Sequence, residues 1–262
     1  MGPLLPRRAG AAVVTDLDAA IREIASARTL LVALDFDGVL APLVDVPSES
    51  RPLPESAAAL GSLATLPGTV VALVSGRGLA DLAATSGFGT PIRLVGSHGG
   101  EFDDGGAVLD DDQRALLDAL TAEVTALVDG EPGVKLEHKP AGIAVHVRGT
   151  GPEVGPRVLD AVRTGPAARP GVDATPGKDV LDLAVLQVNK GMAVDVLRER
   201  VGADAVLFAG DDVTDETAFA RLGPGDVGVK VGDGDTVAGH RVAGPPDVAR
   251  VLELLLATRS QA

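Results

Sequence analysis

The sequence contains no cysteine, no tryptophan and no tyrosine, and its only aromatic side chains are five phenylalanines. The absence of cysteine excludes disulfide bonds, thiolate metal sites and a cysteine nucleophile. It also fits a reducing compartment, so we expect a cytoplasmic protein. With so few aromatic rings, a bound sugar or base would be held by hydrogen bonds more than by ring stacking.

Positive charge is scarce as well. The chain has 23 Lys and Arg residues against 37 Asp and Glu residues, which gives a formal net charge of -14. A nucleic-acid-binding protein needs a positively charged surface, so we expect no nucleic-acid partner. An anionic substrate would need a metal ion or a few well-placed basic side chains to hold it.

No apolar run reaches the length of about 20 residues that crosses a bilayer. Near the N-terminus, Asp16 and Asp18 interrupt the apolar segment, so we expect neither a signal peptide nor a membrane partner. At 262 residues, with 45% hydrophobic and 23% charged residues, the chain has the composition of a globular protein. Its length allows one large domain or two smaller ones.

Continuously apolar segments that are typical of buried strands recur along the chain, at residues 29–34, 69–74, 93–96, 205–210 and, as the last candidate, 226–232. Helices are predicted over 16–27, with Thr15 or Asp16 as N-cap, over 53–66 and over 246–259. Apolar strands that alternate with helices indicate an α/β fold with a parallel sheet covered on both faces.

Polar side chains gather where the predicted strands end. The pairs are Asp35 and Asp37, Ser75 and Arg77, Ser97 and His98, and Asp211 and Asp212. In open parallel sheets, ligands bind beyond the carboxyl ends of the strands. The sequence therefore predicts a functional site at this edge of the sheet.

The middle of the chain has a different pattern. An amphipathic helix is predicted over 112–128, and residues 134–148 form two alternating runs about a Pro-Ala-Gly turn, which predicts a hairpin. Alternation places Lys135, Glu137 and Lys139 on one face of it. We therefore predict an inserted α+β cap domain over 103–186, within a core formed by 1–102 and 187–262.

Asp35 and Asp37 follow a buried strand with one residue between them. Two carboxylates so close to an apolar strand cost free energy unless something compensates their charge. A hard divalent cation is the natural compensation, and Mg²⁺ suits a few carboxylates together with phosphate oxygens.

The segment DFDGVL resembles the first motif, DxDGT, of the haloacid dehalogenase superfamily of phosphotransferases, with Val39 in place of the threonine. Ser75, Lys190 in NKG and the segment GDDVTDE follow in the order of the later motifs. The resemblance implies a Rossmann-like core in which Asp35 is the nucleophile and Asp37 the general acid and base. It also implies that Ser75 and Lys190 bind the phosphoryl oxygens.

The same resemblance implies a Mg²⁺ site made of Asp35, Asp211 and the backbone carbonyl of Asp37. Asp212 or Asp215 would be a further ligand or would support the ligands, and the motif does not decide between them. We take Asp212 as the fourth member of the predicted set.

The segments SGR, GSHGGE, LEHKPAGIAVHVR, PGKDVLDL and GDDVTDE together are similar to those of trehalose-6-phosphate phosphatases, from about residue 30 onwards. The resemblance implies hydrolysis of trehalose 6-phosphate and a functional link to the synthase that makes this sugar phosphate. It implies sugar contacts from Glu137, Lys139 and Asp182, where Asp182 replaces a usual glutamate, and Ala184 stands where an arginine is common. Arg77 and His98 are further substrate-binding candidates.

Other interpretations compete with these. Glu137 and Lys139 could form a surface ion pair of little energetic value, and Arg77 could be a structural cation at a helix start. The substrate could be another sugar phosphate, such as sucrose 6-phosphate. The chain could also be a silent sugar-phosphate-binding partner of a synthase or, least in keeping with the motifs, a phosphomutase.

Overall fold

The computed structural model describes residues 10–105, 109–177, 179–186 and 188–261, with side chains from residue 17 onwards. These residues divide into two compact units. The first comprises the described residues up to Asp103 and those from Asn189 on, and the second comprises Asp104–Val188. The sequence predicts the boundaries between these units at 102/103 and 186/187, and the structure has them at 103/104 and 188/189.

The strands are β1 Leu30–Leu34, β2 Thr69–Val74, β3 Arg93–Gly96, β4 Glu101–Phe102, β5 Lys135–Lys139, β6 Gly142–His146, β7 Asp173–Gly177, β8 Val180–Ala184, β9 Ala205–Gly210, β10 Val227–Val231 and β11 His240–Val242. The α-helices are α1 Gly10–Ile24, α2 Pro54–Leu63, α3 Leu79–Ser86, α4 Asp111–Val128, α5 Val154–Thr164, α6 Lys190–Val201, α7 Glu216–Phe219 and α8 Pro245–Arg259. Short 3₁₀ turns cover Pro47–Glu49, Ser97–Gly99 and Pro166–Ala168.

The first unit is built on a seven-stranded sheet in the order β11-β10-β9-β1-β2-β3-β4. Its neighbouring strands are parallel except for the antiparallel edge pair β3 and β4. β1 lies at the centre, with Leu30 paired to Thr69 of β2 and to Ala205 of β9. All five residues of β1 are buried, as expected for a strand with apolar neighbours on both faces.

Alternate residues of β1 pack into two different hydrophobic clusters, one on each face of the sheet. Leu30, Val32 and Leu34 belong to the cluster that includes side chains of α1, α2 and α8. Leu31 and Ala33 pack in the second cluster, with side chains of α6 and α7. The sheet is thus covered on both faces, and the carboxyl ends of β1, β2, β3 and β9 remain for polar side chains.

The second unit contains an antiparallel sheet in the order β5-β6-β8-β7. Its apolar face includes Ile143, Val145, Leu181 and Leu183, which cluster with apolar residues of α4 and α5. The opposite face carries Glu137, as the alternation predicts. At the start of α4, the side chain of Asp110 accepts a hydrogen bond from the Gln113 amide and completes a capping box.

The structure corrects several sequence-based details. The first helix begins at Gly10, so Thr15 and Asp16 lie within it and the predicted N-cap is wrong. β11 extends the sheet beyond the strand predicted to be the last, and it was missed because its three residues are half-buried and lack an apolar run. Among the described residues, no helix combines the length and apolar character needed to span a bilayer.

Candidate active site

A cleft of about 670 Å³ opens at the carboxyl ends of the central strands of the first unit. Its lining includes the eight core residues that the sequence singled out: Asp35, Asp37, Ser75, Arg77, His98, Lys190, Asp211 and Asp212. Among the described residues that line it, five are acidic, with Asp81 as the fifth, and two are Lys or Arg. A phosphate monoester would therefore meet excess negative charge unless a cation entered with it.

Asp35 lies directly after β1, with 6% of its surface exposed. Its backbone N–H donates to the Ala209 carbonyl (2.9 Å), which fixes it against β9. Its Oδ1 accepts the Phe36 amide at 2.6 Å, and its Oδ2 lies 2.7 Å from the Lys190 ammonium. Burial raises the pKa of Asp35 to about 7 despite the nearby Lys190 charge. A second cation would favour the ionised form that a nucleophile needs.

Lys190 is the first residue of α6, and the Asn189 side chain caps that helix by accepting the Met192 amide at 3.0 Å. The buried ammonium lies 2.7 Å from Asp35 Oδ2 and 2.8 Å from Asp215 Oδ1. Burial alone would lower the pKa of Lys190, but the charges of the two carboxylates outweigh it and raise the pKa. Lys190 is therefore a permanently charged group beside Asp35.

Asp211 follows β9, and its carboxylate is close to the loop after β1. A Cβ on Gly38 would lie 2.0 Å from Asp211 Oδ2, and Gly38 also has a positive φ of 75°. Glycine is therefore required in DFDG for two independent reasons. Burial, followed by the charge of Asp215, raises the pKa of Asp211 to about 6.

Asp215 is fully buried beneath the loop that carries Asp211. Its Oδ2 accepts the backbone N–H groups of Asp211 and Asp212, each at 2.9 Å, while its Oδ1 accepts from Lys190. A Cβ on Gly210 would lie 2.3 Å from Asp215 Cγ, so the glycine makes room for this arrangement. Asp215 thus holds the loop and the lysine together.

Asp35, Asp211 and Asp215 each offer one carboxylate oxygen, these three oxygens lie within 4.8 Å of one another, and this donor set fits a hard cation. The group includes Asp35 and Asp211 of the predicted set, and it contains Asp215 where we took Asp212 as the fourth member. Asp212 is exposed, and its Oδ1 accepts the Val213 amide at 2.6 Å. Since the Asp215 oxygens already accept three hydrogen bonds, the geometry favours a supporting role for it beside Asp35 and Asp211.

Asp37 is paired with Arg77. Arg77 Nε donates to Asp37 Oδ2 at 2.6 Å and Nη2 donates to Oδ1 at 2.8 Å, which is a bidentate arrangement. The Ser50 hydroxyl also donates to Oδ1, at 2.9 Å. Hydrogen bonding to Asp37 raises the pKa of Arg77, so the guanidinium stays charged.

Ser75 and His98 lie side by side at the ends of β2 and β3. The buried Ser75 hydroxyl accepts the Arg77 amide at 3.2 Å, and the Ser75 carbonyl accepts the His98 amide at 2.9 Å. His98 has a left-handed backbone, with φ 56°, and its ring packs where a Cβ on Gly76 would lie. The segments SGR and GSHGGE are therefore joined by backbone contacts.

Three residues that support the site were missed by sequence reasoning, namely Ser50, Asp81 and Lys230. Lys230 lies in the otherwise apolar β10, is buried, and donates from Nζ to the Asp211 carbonyl. A lysine within an apolar strand segment was a usable signal, because such a charge must have a partner. Ser50 and Asp81 carry no comparable signal in the sequence.

In the second unit, the polar sheet face brings together the predicted sugar-binding residues. Glu137 of β5 and Asp182 of β8 both pair with Ala144 of the intervening strand β6. Lys139 Nζ lies 2.5 Å from Asp182 Oδ2, and His146 Nε2 lies 2.9 Å from Glu137 Oε2. Glu137, Lys139 and Asp182 thus form one continuous polar surface, and sequence reasoning gave His146 no role in it.

A parallel α/β sheet covered on both faces, with a buried aspartate after its central strand and a lysine at a helix start, defines the class as that of the haloacid dehalogenase-like fold. A family model described as trehalose-phosphatase matches residues 33–241. The chain belongs to the trehalose-phosphatase family.

Individual relatives agree with this membership. The chain is 32% identical to a trehalose-phosphate phosphatase of Mycobacterium marinum over 234 residues, which cover 83% of the chain and 59% of that protein. It is 33% identical to a bifunctional trehalose-6-phosphate synthase/phosphatase of Thermoproteus tenax, covering 89% of the chain and 33% of that protein. The chain therefore spans about three fifths of the first relative and one third of the second.

Among solved structures, the fold is similar to that of a trehalose-6-phosphate phosphatase from Aspergillus fumigatus, with a TM-score of 0.64 and 25% identity. This match covers 92% of the chain and 97% of the fungal chain. The likeness therefore extends over both units.

Proposed function

We propose that this protein is a Mg²⁺-dependent phosphatase that hydrolyses trehalose 6-phosphate to trehalose and inorganic phosphate. The observation that carries the proposal is the buried Asp35 carboxylate, paired with Lys190 in a cleft that Asp37, Ser75 and Asp211 also line. Membership of the trehalose-phosphatase family supports the choice of sugar.

In the proposed reaction, an Asp35 oxygen attacks phosphorus and an aspartyl phosphate forms as the bond to the sugar oxygen breaks. Asp37 gives its proton to that leaving oxygen, which departs as the C6 hydroxyl of trehalose. The resulting Asp37 carboxylate then takes a proton from a water molecule as the water attacks the phosphoryl group. Phosphate leaves, and both aspartates return to their starting states.

Lys190 and Ser75 would bind the phosphoryl oxygens, on which negative charge accumulates in the transition state. Lys190 already lies 2.7 Å from Asp35, so its charge is close to the reacting atoms before substrate arrives. Asp35 and Asp211 would hold Mg²⁺, with Asp215 ordering the loop. When bound, the ion would offset the negative charge of the carboxylates and of the phosphate.

The polar sheet face of the second unit is our candidate for sugar recognition, with Glu137, Lys139 and Asp182 as hydrogen-bonding groups. Asp182 is one methylene shorter than the glutamate usual in the family. Its ion pair with Lys139 fixes the carboxylate on the surface, and this supports a polar contact role despite the shorter side chain. His98 is proposed to contact the substrate from the cleft of the first unit.

The Thermoproteus tenax relative combines synthase and phosphatase in one name. We propose by analogy that this chain acts on the product of a trehalose-6-phosphate synthase. A cytoplasmic location, as expected from the cysteine-free composition, belongs to the same proposal.

The proposal is tested by measuring phosphate release, with Mg²⁺ or with EDTA, from four substrates: trehalose 6-phosphate, sucrose 6-phosphate, glucose 6-phosphate and p-nitrophenyl phosphate. We expect a strong preference for trehalose 6-phosphate that EDTA abolishes. Metal-dependent activity with another preference would keep the chemistry and replace the sugar. Binding of trehalose 6-phosphate without phosphate release would instead favour a silent binding partner.

A further inference from the structure

Every N–H group of the Arg77 guanidinium is directed at a protein acceptor. Nε and one N–H of Nη2 donate to Asp37, and Nη2 also donates to the Pro47 carbonyl at 2.8 Å. Nη1 donates to Asp81 Oδ2 at 2.8 Å and, more weakly, to Thr85 Oγ1 at 3.5 Å. In this arrangement all five donors are used, and none remains for a substrate phosphate.

The Asp37 carboxylate, which accepts these hydrogen bonds from Arg77, also has most of its acceptor positions occupied. An ionised carboxylate offers about four lone-pair positions. Arg77 and Ser50 occupy two positions on Asp37 Oδ1, and Arg77 Nε occupies one on Oδ2. One lone-pair position is left, on Oδ2. The contacts of Arg77 and Ser50 with Asp37, which we call the Asp37 clamp, therefore restrict a proton on Asp37 to that oxygen.

We propose that Arg77 is a positioning residue that orients Asp37 for proton transfer, and that it is not a ligand of the substrate phosphate. The inference rests on the proposed function, in which Asp37 protonates the leaving oxygen. It assigns that proton to Oδ2 and gives Arg77 no direct contact with the reacting atoms.

Other contacts hold the Arg77 side chain of the Asp37 clamp in place. Asp81 lies in the first turn of α3 and anchors Nη1, while the Pro47 carbonyl belongs to the loop after β1. The Arg77 Cζ lies 5.5 Å from the centroid of the buried Phe36 ring. A lysine at this position would keep the charge but lose the planar fork that contacts both Asp37 oxygens.

The test compares Arg77→Lys with the unchanged protein on a series of aryl phosphates with leaving groups from p-nitrophenol to phenol, and on trehalose 6-phosphate. kcat/KM is used because it reports the steps up to departure of the leaving group. p-Nitrophenolate leaves without a proton, whereas a sugar alkoxide needs one. We expect Arg77→Lys to lower kcat/KM about tenfold to hundredfold for poor leaving groups and less than about threefold for p-nitrophenyl phosphate.

Equal losses for all leaving groups, carried by KM, would overturn the proposal and indicate phosphate binding by Arg77. Arg93→Lys is the matched control, because Arg93 forms an ion pair with Asp103, in which Nε donates to Oδ1 at 2.9 Å, and it does not line the cleft. It should leave the dependence on leaving group unchanged. If Arg77→Lys fails to fold, Asp81→Ala removes the acceptor of Arg77 Nη1 and should steepen the same dependence.

The two proposals fail in different ways. Activity on aryl phosphates without activity on trehalose 6-phosphate would reject the sugar but leave the leaving-group test of Arg77 intact. If no ester is hydrolysed, a crystal structure of the Arg77→Lys variant still tests whether Arg77 orients Asp37. We expect the Asp37 carboxylate to rotate away from its present orientation, and an unchanged Asp37 would overturn the inference.

Discussion

Replacing Asp35 by Asn should stop turnover and, at the same time, stabilise the metal-free protein. The proposed nucleophile is lost, so we expect kcat to fall on the order of 10⁴-fold or more. The stability gain follows from burial, which raises the pKa of Asp35 from 3.8 to about 7. Asparagine resembles the neutral form of this side chain and does not carry the charge that the folded protein disfavours.

The magnitude follows from linkage between protonation and folding. Each pKa unit corresponds to about 1.4 kcal/mol, so ionised Asp35 costs the folded state about 4 kcal/mol at pH 8. Between about pH 4 and pH 7, the folded protein binds this proton and the unfolded chain does not. The contribution of Asp35 to the free energy of unfolding therefore falls as pH rises through that window. The Asp35→Asn variant should lack this pH dependence.

Thermal unfolding followed by circular dichroism or calorimetry, in EDTA at pH 4.5 and pH 8, measures the effect. At about 2 to 4 °C per kcal/mol for a protein of this size, the gain at pH 8 is on the order of 10 °C and should shrink at pH 4.5. Asp129→Asn, at an exposed position, is the control and should change little. A variant less stable than the unchanged protein at pH 8 would show that the Lys190 ion pair outweighs burial and would refute the reasoning.

The other predictions concern the supports of the site. Gly38→Ala should raise the Mg²⁺ concentration for half-maximal activity at least about tenfold, because its Cβ would collide with Asp211; Gly61→Ala, where a Cβ meets open space, should not. Lys230→Met should lower the free energy of unfolding in urea by about 1 to 3 kcal/mol through loss of a buried charge-assisted hydrogen bond, and unchanged stability would contradict the importance of that contact. Asp182→Ala should raise KM for trehalose 6-phosphate about tenfold more than KM for p-nitrophenyl phosphate, and equal effects on both would remove Asp182 from sugar recognition.

The sequence predicted the inner strands β1, β2 and β9 well, because they are almost entirely buried and therefore continuously apolar. β2 and β9 begin and end at the predicted residues, and β1 differs by one residue. From a parallel sheet it follows that the polar residues after these strands share one edge. The convergence of Asp35, Ser75 and Asp211 in one cleft could therefore be predicted without coordinates.

The partners of those residues could not be predicted in the same way. Asp37 and Arg77 are 40 positions apart, and nothing in either segment indicates that all the guanidinium donors are used within the protein. The choice between Asp212 and Asp215 depends on Gly210, whose missing Cβ lets the Asp215 carboxylate fold back under the loop. Such choices depend on distances of a few tenths of an ångström, which a residue pattern does not encode.

The acidic charges that the proposed function needs in the cleft lower the stability of the metal-free folded protein. Asp35 and Asp211 both have raised pKa values because burial and neighbouring carboxylates disfavour their ionised forms. Lys190 and Lys230 reduce this cost but leave the lining acidic, so the metal-free fold carries a destabilising cluster. Since a cation that binds the folded state stabilises it, Mg²⁺ should raise the unfolding temperature of the unchanged protein more than that of Asp35→Asn.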